Sequence, residues 1–347
     1  MSMTISLTTL LGIKHPILLA PMDLIAGSRL VGAVSRAGGF GILGGGYGER
    51  VWLEQETAKL AGLRAPFGIG FITWSLAKRP ELLDVALTAK PDAIMLSFGD
   101  PAPFAPTIKS TGARLICQVQ DEAMARQALE AGADILIAQG TEAGGHGASR
   151  TTIDLVPAIV DLAAGRVPVV AAGGIADGRG LAAMMMLGAS GVLLGTRFYA
   201  SQEADGAEEA KRRVCAASSG STVRGIIFDL SRNNVWPAPF TGRCLVNGHA
   251  KRWIGREVEL MQNVAMVAAE YAAARAAGNF DVAAVIAGEA VGLIHDIPPA
   301  AEIVGRIAME AEQLLEGRRN SVNGAFPSPL VGEGGAKRRM RGISPQN

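Results

Sequence analysis

Eight short apolar runs punctuate the first two hundred residues: Pro16–Ala20, Phe40–Leu43, Phe67–Ile72, Ala93–Phe98, Arg114–Val119, Asp134–Ala138, Val167–Ala171 and Gly191–Leu194. Each is rich in Leu or β-branched residues, and none alternates with polar positions. That is the pattern of parallel strands buried on both faces. Stretches with helical spacing separate most of them, among them Ser28–Ala37, Glu49–Leu60, Glu81–Ala89, Asp121–Ala131, Asp154–Ala163 and Arg179–Leu187. Asp121 and Glu122 put acidic groups in a first helical turn, where the helix dipole favours them. Eight strand–helix alternations predict an α/β chain, either a (β/α)8 barrel or a doubly wound sheet. The count of eight favours the barrel. So do the glycine-bearing loops that follow at least five strands, because a barrel gathers such loops at one face whereas a doubly wound sheet concentrates them at one switch point.

Past residue 200 the pattern changes. Ser201–Ala217 is charged and helical, Ser218–Gly255 is irregular with Trp236, Pro237 and Pro239, and Met261–Ala276 and Pro299–Leu315 are Ala-rich with helical spacing. The expected organisation is a barrel over 10–200, a helical and irregular addition or lid over 201–318, and a disordered tail over 319–347, rich in Gly, Pro, Ser and Arg.

Composition narrows the function. With 49% hydrophobic and 19% charged residues the chain of 347 can build a large core. The net charge of +1 offers no footprint for nucleic acid or anionic membrane, and 5% aromatics argue against a base-stacking surface. Three widely spaced cysteines (Cys117, Cys215 and Cys244) form no CxxC pair, so neither a disulfide framework nor a metal site is expected. No leader pattern or membrane-length apolar run is evident, which reads as a cytoplasmic protein.

The most informative stretch is Ala138-Gln139-Gly140-Thr141-Glu142-Ala143-Gly144-Gly145-His146-Gly147, after the sixth run. Its backbone is permissive, yet it carries four hydrogen-bonding side chains. A loop that admits a flat ligand while aiming an imidazole at it has this composition. Two further turns follow the seventh and eighth runs: Ala171-Ala172-Gly173-Gly174-Ile175 and Leu193-Leu194-Gly195-Thr196. Loops at these places in a barrel frequently bind phosphate through backbone N–H groups.

These pieces, with Ala20-Pro21-Met22, Gly38-Gly39-Phe40-Gly41, Trp236-Pro237 and Gly288-Glu289-Ala290-Val291-Gly292, resemble the nitronate monooxygenase family from about residue 10 to 315. The Gln-Gly-Thr-Glu-Ala-Gly-Gly-His element is the specific part. The resemblance implies an FMN-dependent (β/α)8 enzyme that oxidises alkyl nitronates or nitroalkanes with O2 to a carbonyl compound and nitrite. It implies that Pro21 and Met22 lie against the flavin ring, with Ala20 beside them among the cofactor-binding residues, and that Gln139 and Gly144 line the flavin. Gly173, Gly174, Gly195 and Thr196 would hold the phosphate, Gly70, Leu193 and Leu194 are further cofactor-binding candidates, and His146 would be the catalytic base. Gly70 stands where the family often has an FMN-contacting Asn, with Thr73 or Ser97 as candidate replacements. A Lys sometimes found after the fifth strand is replaced by Gln118 and Gln120.

A histidine, with an unperturbed pKa near 6.5, suits removal of an α-proton. His15, His249 and His295 read as structural, Glu142 as a loop-fixing partner rather than a metal ligand, Asp100 and Asp177 as turn and cap residues, and Met184–Met186 as helix packing. Two alternatives share the barrel: an FMN-dependent NAD(P)H reductase of a quinone or enoyl thioester, and a non-catalytic ligand-binding barrel. Inosine-monophosphate-dehydrogenase-like chemistry needs a nucleophilic Cys in the active loop, and residues 139–150 hold none.

Overall fold

The structure, a computed structural model, describes residues 6–323. Its first nine strands are β1 (Ile17–Leu19), β2 (Gly41–Gly44), β3 (Phe67–Ile72), β4 (Ala93–Ser97), β5 (Arg114–Val119), β6 (Ile135–Gln139), β7 (Gly145–Gly147), β8 (Val169–Ala172) and β9 (Gly191–Leu194). All except β7 pair in parallel, in the order β1-β9-β8-β6-β5-β4-β3-β2. A parallel Leu18–Phe40 bridge joins the two ends, with Leu19 N–H donating to Phe40 O and Phe40 N–H to Ile17 O, each at 2.9 Å. The sheet therefore closes on itself as a (β/α)8 barrel.

The unbroken apolar runs follow from this closure. Leu18, Ile42, Met95, Ile116, Ile137, Val170 and Leu193 point inward and form one buried cluster. Their neighbours Ile17, Leu43, Ile94, Leu115, Leu136, Val169 and Val192 point outward into the layer beneath the helices. Each such side chain stabilises the fold by about 1.5–3 kcal/mol relative to an exposed one. The short helix Leu7–Leu11 seals one end, sending Leu7 and Leu11 into the inner cluster. Of the two capping aspartates, Asp121 accepts from Met124 N–H at 2.7 Å and Asp177 from Gly180 N–H at 3.2 Å, starting the helices Glu122–Glu130 and Gly178–Met186.

The region after residue 200 differs from the expected helical addition in two respects. First, it contains β10 (Thr222–Gly225) and β11 (Thr241–Leu245), an antiparallel pair inside the stretch expected to be irregular. Second, the long helix Ala300–Asn323 is part of the barrel's own outer layer. It packs on the helices Gly178–Met186 and Ser28–Arg36, and buries Ile303, Val304 and Ile307 in the same layer as the strands. It is the helix of the eighth barrel unit, so residues 201–299 form an insert between the eighth barrel strand and its helix. This helix runs on to Asn323, into the stretch expected to be disordered; the remainder of that stretch lies outside the described residues. Among the described residues no helix is long and apolar enough to cross a membrane.

Candidate active site

The His146 loop leaves the C-terminal end of β6 and becomes β7, which pairs antiparallel with β11. The insert thus adds its hairpin to the barrel loop, making a three-stranded sheet in the order β10-β11-β7, with His146 opposite Gly242. This departs from the flexible loop expected here: His146 sits on a paired strand and is only 8% exposed. Two arginines fasten the segment. Arg224 Nη2 donates to Thr141 O at 2.8 Å and Ala143 O at 3.0 Å, and its Nη1 to Gly147 O at 3.3 Å and to Thr241 O. Arg243 Nε donates to Thr141 O at 2.9 Å, while its Nη1 meets Glu289. Glu142 fixes the loop from the other side, accepting from Thr152 N–H and from Thr152 Oγ1–H at 2.7 Å. Its carboxylate is thus engaged by Thr152 rather than by His146.

The glycine at 144 answers to packing. A Cβ there would stand 2.7 Å from Ala287 C and Gly288 N, and one at Gly288 would stand 2.5 Å from Glu142 O. The loop and the Gly288–Gly292 segment press backbone to backbone, joined by Glu289 N–H to Glu142 O at 2.9 Å.

The imidazole has two close partners. His146 Nε2 lies 2.9 Å from Asp229 Oδ2. The Trp236 indole stacks on the ring with centroids 3.4 Å apart and planes 5° from parallel. The second carboxylate oxygen of Asp229 accepts from Arg232 Nη2–H at 2.7 Å. Trp236 Nε1–H donates to Tyr47 Oη at 2.8 Å, and Trp74, Phe98 and Phe240 complete an edge-to-face aromatic group around it. Burial pulls the His146 pKa below its ordinary value of 6.5, against the opposing pull of Asp229, and so favours the neutral ring. Burial also pushes the Asp23 carboxyl, in the loop after β1, up to about 6.

Several sequence-predicted residues take revised places. Gln139 spends its amide on neighbours: its Oε1 accepts from Gln120 Nε2–H at 2.8 Å, and its Nε2–H donates to His146 O at 3.1 Å. Among the described residues Gln120 Oε1 is instead buried without a partner. Gly70 is covered by Pro21, whose Cβ lies 2.4 Å from where a Cβ at 70 would stand. An Asn side chain has no room there. Thr73 Oγ1 is buried and unpartnered, while Ser97 is buried at the end of β4. Leu193 faces the barrel interior, but the Leu194 side chain is in the outward layer, which removes it from any ligand at the mouth. Ala20 and Met22 flank Gly195, at 3.6 and 3.8 Å from the place of its missing Cβ.

The turns after β8 and β9 are adjacent because these strands pair, Ala172 with Leu193. Gly173 and Gly174 adopt φ of +109° and +71°, backbone that glycine reaches without strain. Among the described residues the backbone N–H groups of Gly174, Ile175, Gly195 and Thr196 have no hydrogen-bond partner. Thr196 Oγ1 accepts from Gly288 N–H at 2.9 Å, leaving its own O–H to donate. Unpaired backbone donors at neighbouring strand ends fit an anionic phosphate, and the free acceptor of Gln120 fits a ring N–H.

Sequence reasoning missed Asp229, Arg224, Arg232 and Arg243. Their signals were present: arginines two residues into strand-like TVRG and TGRCL, and an Asp–Arg pair three apart in IFDLSR. The pairing of β10 and β11 with β7, and the helix Ile227–Ser231 beside them, bring these residues to the His146 segment.

A closed (β/α)8 barrel with an imidazole, an anion-ready pair of turns and an unpaired acceptor at one mouth defines a cofactor-dependent barrel enzyme. The chain matches the nitronate monooxygenase family over residues 5–79 and 72–310. It is 35% identical to a nitronate monooxygenase of Metarhizium robertsii, over 87% of this chain and 92% of that one. It is 28% identical to a hydroxy-methyl-oxo-octahydro-indene-carboxyl-CoA dehydrogenase of Mycobacterium tuberculosis, over 88% and 95% of the two chains. The solved FabK from Thermotoga maritima superposes with a TM-score of 0.79 at 32% identity, covering 90% of this chain and 98% of that one. The chain therefore belongs to the nitronate monooxygenase family, and it is a flavin oxidoreductase of that type.

Proposed function

We propose that the protein binds FMN and oxidises alkyl nitronates with O2 to a carbonyl compound and nitrite. The observation that carries this reading is the neutral, buried His146 at the same barrel mouth as the free N–H groups of Gly174, Ile175, Gly195 and Thr196. Those N–H groups and the Thr196 hydroxyl would hold the phosphate, and Gln120 Oε1 the ring N–H. Bound flavin would supply the redox chemistry that, together with O2, converts a nitronate. The chain itself binds the substrate beneath the Trp236–Tyr47–Trp74 group, which excludes water, and His146 takes the α-proton when the substrate arrives as a neutral nitroalkane. Neutrality in the resting state is what that role requires.

The likeness to FabK and to the CoA dehydrogenase favours a second reading, an NAD(P)H-dependent reductase of an enoyl thioester on the same flavin site. One comparison separates the two. Protein loaded with FMN is assayed for nitronate-dependent O2 uptake and, under the same conditions, for NAD(P)H oxidation with and without an enoyl thioester. Faster O2 uptake with nitronate supports the first reading, and thioester-dependent NAD(P)H oxidation overturns it in favour of the second. Protein that stays colourless and takes up no FMN on titration refutes both.

A further inference from the structure

The insert contributes a second group to the acid–base apparatus. We propose that Asp229 is a positioning residue for His146: it fixes the Nε2–H tautomer, so that Nδ1 is the atom that receives the substrate proton. This rests on the reading of His146 as the base.

The geometry leaves little choice of tautomer. A carboxylate oxygen only accepts, so with Asp229 Oδ2 at 2.9 Å the shared proton belongs to His146 Nε2. Among the described residues Nδ1 has no hydrogen-bond partner. Asp229 is 3% exposed and cannot turn to solvent, and Arg232 holds its other oxygen. Trp236 stacks on one face of the imidazole and holds the plane of the ring.

Proton transfer then balances as follows. The α-carbon–hydrogen bond of a nitroalkane breaks and its proton goes to Nδ1. The bonding electron pair moves into the nitro group to give the nitronate. The resulting imidazolium keeps its Nε2–H on the Asp229 carboxylate, which stabilises the new charge where it forms. The charged and titratable groups around this pair are Arg232 on the same segment as Asp229, Arg224 on β10, Cys244 on β11, and Tyr47 and Asp23 from the loops after β2 and β1. Of these, Arg232 and Arg224 disfavour the imidazolium, so Asp229 is the group that offsets them.

The test has two arms. In full-length protein with 15N-labelled histidine, long-range 1H–15N correlation spectra report the tautomer of each of the four histidines directly. The expected state of His146 is Nε2–H, and an Nδ1–H tautomer overturns the proposal whatever reaction the enzyme catalyses. The second arm is Asp229→Asn, with Asp229→Glu as the conservative comparison. Asp229→Asn should lower kcat/KM for a neutral nitroalkane about 10–100-fold, at least tenfold more than for the preformed nitronate. It should also move the acid limb of the pH profile to lower pH, because the carboxylate that raises the His146 pKa is gone. Asp229→Glu should recover part of both. Equal losses on the two substrates with an unmoved limb would make Asp229 merely structural. If the wild-type protein turns over neither substrate, the proposed function fails and the tautomer measurement still decides the positioning role.

Discussion

Restoring the family's Asn at position 70 should harm this protein. A Cβ at Gly70 would stand 2.4 Å from Pro21 Cβ and 2.6 Å from Pro21 Cγ, about 1 Å short of the 3.4 Å where ordinary contact begins. The far side is closed as well, with Ile42 Cγ2 at 3.4 Å. Pro21 is poorly placed to yield. Its neighbours are tied by Ala20 N–H to Leu194 O at 2.9 Å and by Met22 O to Ala26 N–H at 2.9 Å. Overpacking of this kind costs about 1–3 kcal/mol, and in a chain of this size that corresponds to a Tm lower by roughly 1–4 °C. The same displacement moves the Ala20–Met22 loop expected against the flavin. If the whole strain appears in binding, FMN affinity falls by about 5–150-fold, at 1.4 kcal/mol per factor of ten. Differential scanning fluorimetry and titration of FMN fluorescence measure the two effects. Pro21→Gly in the Gly70→Asn background removes both clashing atoms and should recover part of each loss. A Gly70→Asn protein with unchanged Tm and equal or tighter FMN binding would refute the account, since it would mean that the loop has room for the amide.

Two further changes test the frame around the site. Arg224→Lys replaces a planar fork that reaches four carbonyl oxygens by a single ammonium. It should destabilise the protein by about 1–3 kcal/mol and speed amide hydrogen exchange across 141–147, and unchanged exchange there would show that the fork is dispensable. Asp23→Asn tests the buried carboxyl. Its folded-state pKa, raised to about 6 by burial, lies above the unfolded value, so the folded state binds more protons and stability falls as pH rises from about 4 to 6. The penalty is complete above that window. Asp23→Asn should therefore raise the Tm at pH 8, by relieving about 2–3 kcal/mol, and leave it little changed at pH 4. A gain of the same size at both pH values would rule out ionisation as the cause.

The barrel could be read from the chain because burial on both faces leaves an uninterrupted apolar run, and eight such runs have few other arrangements. The loop glycines were readable for a related reason: positive φ at Gly173 and Gly174 demands them wherever the turn is made. The insert was not readable. TVRG and TGRCL carry only a faint strand signal, short and interrupted by arginine, because β10 is held by pairing to β11, β11 by pairing to β7, and both by arginine forks rather than by an apolar face. For the same reason His146 was legible as a candidate and its environment was not. Asp229 lies 83 residues further along the chain, and nothing local to either residue announces the pair. Gly70 carried a different lesson. Its departure from the family looked like a lost contact, whereas the structure shows the proline ring that occupies the space.

The position of the insert bears on how the protein is made. The helix Ala300–Asn323 completes the outer layer between the helices Gly178–Met186 and Ser28–Arg36, yet it emerges only after the whole insert has been synthesised. Until then the outward layer around Val192 and Leu194 lacks the residues that cover it, Ile303, Val304 and Ile307 among them. The barrel's last structural element thus follows, in chain order, a segment that already holds Asp229 and Trp236. Tethered to the barrel at both ends, that segment docks as a closed loop with little orientational freedom left to lose.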